Sequence, residues 1–207
     1  VSAPLPSLEE AAQRDSRQRK VLNVVLVIVV LVAIIGLYRL TPTQQDIQQP
    51  VAVKGIVGKA VKTPRFELTV RGVQVSKKLR VPRSAPDRDS LSDFVVVDAI
   101  VKATREPIHL NKVSIKAADG TLYLGANRAG LNETDLTGFE FAPDIPAHGS
   151  FVVEMPADQL PGAVLQVMEK SIFNDLEPQA TIPLGVEKDQ LDGLRKDVAI
   201  LTAADES

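Results

Sequence analysis

The chain has 207 residues, a formal net charge of -2, and neither cysteine nor tryptophan. Without cysteine there are no disulfides, thiolate nucleophiles, Cys-ligated zinc or ordinary iron–sulfur ligation, and two histidines are too few for a three-histidine metal site within one chain. The nearly balanced charge gives no electrostatic footprint for nucleic acid, and two tyrosines make a poor aromatic cage.

Residues 1–20 are polar and too short for a core. In "SLEEAAQRDSRQRK", Ser7 stands at a helix N-cap with Glu10 in the capping-box position, so a short interfacial helix competes with disorder. The uncharged run Val21–Tyr38 follows. As a helix rising 1.5 Å per residue it spans about 27 Å, close to the roughly 30 Å of a hydrocarbon core. Its valines and isoleucines favour strands in water, but in lipid the self-contained hydrogen bonding of a helix overrides that propensity.

A cleaved signal peptide has an apolar region of about 7 to 15 residues and small residues at the cleavage site. Here the exit reads "GLYRLTPTQQDIQQP", with bulky Tyr38, Arg39 and Leu40. A retained single-pass signal anchor over 21–38 is therefore expected. Arg14, Arg17, Arg19 and Lys20 precede the run, and no basic residue follows Arg39 until Lys54. By the positive-inside bias the N-terminus is cytoplasmic and the remainder extracytoplasmic, with Tyr38 and Arg39 at the outer headgroups. Residues 39–53, rich in Gln and Pro, read as an exposed linker.

From 54 to 185 the pattern changes to short strands. "RFELTVRG" places Phe66, Leu68 and Val70 on one face, and "VQVS" moves the apolar set to Val73 and Val75, which predicts a bulge or bend at Gly72. "DFVVVDAIVKA" is apolar on both parities, as in a central strand covered on both sides. "KVSIKA", "DG" and "TLYLG" predict a hairpin around Asp119–Gly120. "GSFVVEMP" alternates through Phe151, Val153 and Met155, and residues 163–168 supply a further strand. Together these predict an antiparallel β-sandwich, giving a mainly β protein behind one membrane helix. Residues 186–207 are open between a helix broken around Gly193 and an acidic tail.

The succession "DFVVVDAIVKATREPIHLNKVSIKAADGTLY" and "DIPAHGSFVVEMPADQLPGAVLQV" resembles the immunoglobulin-like extracellular domain of bacterial lipoproteins and membrane-anchored envelope proteins. The likeness covers about residues 60–185 and, with the Ala/Val/Asp/Arg-rich composition, is similar to actinobacterial envelope proteins. It implies a noncatalytic binding or assembly role. The chain departs from the pattern in carrying "KATREPI" where an asparagine-rich turn is common, and in being anchored by a helix instead of a lipidated cysteine.

No nucleophile elbow, H-E-x-x-H helix or Cys–His pair occurs, so no enzyme, cofactor or catalytic residue is expected. His109 is read as a strand-edge residue and His148 as an exposed loop residue. Asp87, Asp89 and Asp93 are closely spaced oxygen ligands, but they lack the glycine and terminal glutamate of an EF-hand and read as a solvated loop. "NET" at 132–134 has the glycosylation pattern, on which no function is built. Basic residues dominate 54–88 and acidic ones 133–177, either as two surfaces or as signs that mix on folding.

Lys77, Lys78, Arg80, Arg83 and Arg88 are the candidate binding cluster, expected on a loop between the early strands and "DFVVVDAIV". The leading function is a non-enzymatic accessory or structural subunit of a membrane or envelope complex, transport-associated in one version. Its expected partners are membrane lipids, protein subunits and an anionic envelope polymer. The alternative is a membrane-anchored sensor or carrier of a lipid, glycan fragment or other small molecule, which requires a concave pocket.

Overall fold

The computed structural model describes residues 25–34, 36, 50–82, 87–125, 135–169 and 177–206. The chain divides into two units, Val1–Gln48 and Gln49–Ser207. In the first, residues 25–34 are helical and their valine, leucine and isoleucine side chains are all exposed. Among the described residues no helix is long and apolar enough to cross a membrane. Residues 21–24, 35 and 37–38 of the expected span lie outside the described residues, as do Arg14, Arg17, Arg19, Lys20, Tyr38 and Arg39.

The second unit is built from strands: β1 (Val51–Lys54), β2 (Val61–Lys62), β3 (Phe66–Arg80), β4 (Arg88–Ala103), β5 (Ile108–His109), β6 (Lys112–Lys116), β7 (Leu122–Leu124), β8 (Glu140–Phe141), β9 (Pro146–Met155), β10 (Val164–Met168), β11 (Pro178–Pro183), β12 (Ala199–Ile200) and β13 (Asp205–Glu206). One sheet has the order β1-β11-β10-β6-β7 and the other β12-β3-β4-β9-β13, with β2 added beside β3. Strands β5 and β8 form a separate ribbon. The β1–β11 and β12–β3 pairs are parallel, and the long pairs β3–β4 and β4–β9 antiparallel.

Alternation explains the core between the sheets. Phe66, Leu68 and Val70 of β3, Val95, Val97, Ala99 and Val101 of β4, and Phe151, Val153 and Met155 of β9 share one buried cluster with Val113, Ile115, Leu165, Val167, Ala180 and Ile182 of the other sheet. The β3–β4 register passes from Val70↔Ala99 to Gly72↔Asp98. Arg71 is the extra, exposed residue, and the resulting bulge returns Val75 to the core as the shift in apolar parity predicts. The β6–β7 hairpin turns at Gly120, whose φ of 93° needs glycine, and Asp119 Oδ1 accepts the Thr121 amide at 2.8 Å.

Strand β4 is buried on both faces. Phe94 and Val96 point away from the main core into a second cluster with Leu79, Val81, Val152, Ala199 and Leu201. The last two belong to the segment read as an acidic tail. After a short helical stretch at Lys188–Leu194, which ends one residue past Gly193, the chain pairs with β3 through β12 and with β9 through β13. The acidic composition concealed these two apolar residues, whose burial joins hydrogen bonds such as the Leu201 amide to the Arg80 carbonyl at 2.9 Å in holding the segment against the sheet.

Candidate functional site

Of the five cluster residues, Arg83 lies outside the described residues, and the other four sit on strands instead of a loop. Lys77, Lys78 and Arg80 close β3 and Arg88 opens β4, so the two longest strands extend together and carry the charges outward. Long alternating strands continue pairing wherever a partner remains, and here the pairing runs on to Leu79↔Arg88.

The pairing is irregular where it matters. The register jumps from Ser76↔Phe94 to Lys78↔Asp89, leaving Lys77 opposite residues 90–93. This shift changes the parity of β3, so Leu79 packs in the second cluster while Lys78 and Arg80 face water. On the opposite strand Leu91 is fully exposed, at 110%. A lone leucine in the polar stretch "DRDSLSD" is the only sequence signal for it, and alternation alone would have sent it inward.

Arg80 grips Asp87 with both prongs of its guanidinium, Nε donating to Oδ1 at 2.9 Å and Nη2 to Oδ2 at 2.8 Å. Hydrogen bonding to Arg80 holds the Asp87 carboxyl below its ordinary range, and the same bond raises Arg80. Lys78 Nζ stands 3.8 Å from Asp89. Lys77 and Arg88 are the cations of this hairpin that form no ion pair among the described residues. Asp93 Oδ2 accepts the Ala157 amide at 3.1 Å. The three aspartates are thus spent on separate partners, and the described residues contain no group of three or more His, Asp or Glu side chains suited to a metal.

The two histidines occupy different sheets. His109 lies in β5, exposed, with Nε2 3.7 Å from Glu140. His148 lies within β9 opposite Asp205 of β13, where a loop was expected, because the chain after Pro146 is already paired with β4. The basic first half and acidic second half meet in several places. Arg65 donates to both carboxylate oxygens of Glu169 at 2.8 and 3.1 Å and also pairs with Glu106, while Lys102 reaches Asp144 at 3.8 Å. Charge signs therefore interleave around Arg65, and the hairpin retains its own positive excess. The "NET" motif lies outside the described residues.

Two packed sheets around one core make this chain a β-sandwich protein with a basic hairpin at one end. No protein-family model and no curated protein matches it. Among solved structures it is similar to an uncharacterized β-sandwich protein of Clostridium difficile 630, at 12% identity over 70% of this chain and 99% of that one, with a TM-score of 0.42. It is likewise similar to the secreted protein MPT63 of Mycobacterium tuberculosis, at 15% identity over 65% and 98% of the two chains and a TM-score of 0.45, and to the YjhA protein of Bacillus subtilis, at 12% identity over 61% and 97% with a TM-score of 0.42.

Proposed function

We propose that the chain is a membrane-tethered, non-enzymatic binding module whose sandwich stands outside the cytoplasmic membrane and captures an acidic partner subunit through the β3–β4 hairpin. The observation that carries this reading is the fully exposed Leu91 lying opposite Lys77, with Arg88 at the start of the same strand. An apolar side chain exposed where the β3–β4 pairing is interrupted, beside cations that form no ion pair among the described residues, offers a partner both a contact to bury and a field to orient it. Tethering supports the reading because the exposed helical residues 25–34 belong to the uncharged run 21–38, and holding a module in the partner's membrane raises its effective concentration.

The strand order also fits the immunoglobulin-like arrangement. In β3-β4-β9 and β11-β10-β6-β7 the neighbours follow the A-B-E and G-F-C-C′ order, and β1 runs parallel beside the final strand of the sandwich proper, β11. Such domains present hairpins at the ends of a rigid double sheet, which is where the basic cluster lies.

The test is substitution of Lys77, Lys78, Arg80, Arg83 and Arg88 by glutamine in the full chain, extracted in mild detergent, with a Leu91→Ser variant beside it. Copurifying subunits are quantified at low and physiological salt, with circular dichroism and melting as fold controls. Loss of the same acidic subunit in both variants, with the fold unchanged, is the expected result. An unaltered set of partners at both salt levels rejects the hairpin as the binding surface. Protease added to spheroplasts tests topology separately, since protection of residues 54–207 overturns the outward orientation.

A further inference from the structure

A second basic feature lies away from the hairpin. The β1–β2 connection presents Ile56, 53% exposed, and Val57, 37% exposed, between Lys54 at the end of β1, Lys59 in the connection and Lys62 on β2. Lys62 Nζ is 3.2 Å from Glu67, whereas Lys54 and Lys59 make no ion pair among the described residues.

The connection is fixed by its own backbone. The Lys59 amide donates to the Ile56 carbonyl at 3.3 Å, the Gly58 amide to Val70 at 2.9 Å and the Gly55 amide to Thr181 at 2.9 Å. Gly58 has a φ of 81°, which the turn requires. A Cβ on Gly55 would stand 1.9 Å from Val61 Cγ2, so the connection lies directly against β2. Two aliphatic side chains are therefore exposed on a turn whose backbone is already fixed, which lowers the ordering cost of binding.

Rigid apolar tips flanked by lysines match a bilayer interface, where aliphatic groups enter the acyl boundary and lysine stems lie alongside with their ammonium groups at the phosphates. The chain has the reach. The twelve residues 39–50 that precede β1 can extend about 40 Å. The turn abuts Val70 partway along β3, and the basic hairpin lies ten residues further, about 33 Å along the strand. One feature can contact lipid while the other stays free.

We propose that the segment Lys54–Lys62 seats the sandwich on an anionic bilayer, with Ile56 and Val57 in the headgroup layer and Lys54 and Lys59 at lipid phosphates. The proposal rests on the tethered reading for its proximity to the membrane. The absence of native cysteine allows a clean test. The full chain carrying Val57→Cys, labelled with a polarity-sensitive fluorophore, is reconstituted in vesicles of phosphatidylcholine alone or with phosphatidylglycerol. Asp119→Cys in the β6–β7 turn, at the opposite edge of that sheet from β1, is the control.

The label at 57 is expected to shift to the blue and to resist an aqueous quencher in phosphatidylglycerol vesicles, and to lose both properties with Lys54→Glu and Lys59→Glu. The label at 119 should remain in water. Equal quenching at 57 and 119 in anionic vesicles overturns the seat. Flotation with phosphatidylcholine vesicles reports the tether independently. A chain that fails to float there yet shows the shift with phosphatidylglycerol disproves the tether and supports the seat.

Discussion

Ser150 Oγ donates a hydrogen bond of 2.6 Å to Asp98 Oδ1 on the neighbouring strand, and the same hydroxyl accepts the Thr202 amide at 3.2 Å. Ser150 is fully buried, and Gln74 Nε2 reaches the other oxygen of Asp98 at 3.4 Å. A single hydroxyl thus joins β4, β9 and the C-terminal segment. Ser150→Ala leaves the Thr202 amide without that acceptor, and a loss of about 1 to 3 kcal/mol is expected in urea unfolding. Hydrogen exchange at Thr202 should accelerate more than at Val97. Exchange rising equally at both sites would mean that the hydroxyl does not hold the segment specifically.

The segment itself seals an apolar face. Leu201→Ala is expected to cost about 2 to 5 kcal/mol, the range for emptying a buried leucine site. Ending the chain after Lys196 should expose Phe94, Val96 and Val152 and produce strong binding of a hydrophobic dye. A shortened chain with the parent's melting temperature and no dye binding would show that the sheet needs no outer cover.

Gly149 stands where β9 passes between Leu136 and the C-terminal segment. A Cβ there would lie 2.8 Å from Leu136 Cδ2 and 3.1 Å from the Ala204 backbone. Leucine can rotate, but the backbone cannot yield as easily. Gly149→Ala is therefore expected to destabilise by about 1 to 3 kcal/mol. Pairing it with Leu136→Ala should recover part of the loss if the leucine contact dominates, and none if Ala204 does.

Asp135 is buried, and desolvation raises its carboxyl above the ordinary value of 3.8 despite donation from the Thr137 amide and hydroxyl. The folded state consequently binds this proton more tightly than the unfolded chain does. Its contribution to stability falls as pH rises from 3.8 through the raised value, and the cost is complete above it. Asp135→Asn retains an oxygen for the Thr137 donors and removes the charge. It is expected to melt higher than the parent at pH 7, with the difference shrinking toward pH 4. A difference that stays constant across that range would assign the effect to packing.

Asp87 has the opposite sign. Its lowered carboxyl favours the folded hairpin above the unfolded value of 3.8, and that contribution is lost as pH falls below it. Because the Arg80–Asp87 pair is exposed, Asp87→Asn should leave melting almost unchanged while strengthening retention of the acidic subunit at low salt, since it frees a cation. Unchanged retention would remove Arg80 from the binding surface.

Short-range periodicity was enough to locate β3, β4, β9 and the Asp119–Gly120 turn, and even the bulge beside Gly72, because side-chain parity along a strand is a local property that only the adjacent residues determine. The both-parity run at 94–97 likewise announced that something must cover the second face of β4. Which segment does so depended on topology: Leu201 meets Phe94, Val96 and Val152 only after the chain has crossed between the sheets, and no pattern within the last twenty residues encodes that distance. Charges follow the same division. Composition marked Lys77, Lys78, Arg80 and Arg88 as a basic cluster, but the register jump between Ser76 and Lys78 decided that Arg80 is paired with Asp87, that Lys77 forms no ion pair among the described residues and that Leu91 faces water. Hydrophobic burial acts on whole faces, so the sequence can show where apolar faces occur, while their pairing and the charges left over are set by how strands far apart in the chain come into register.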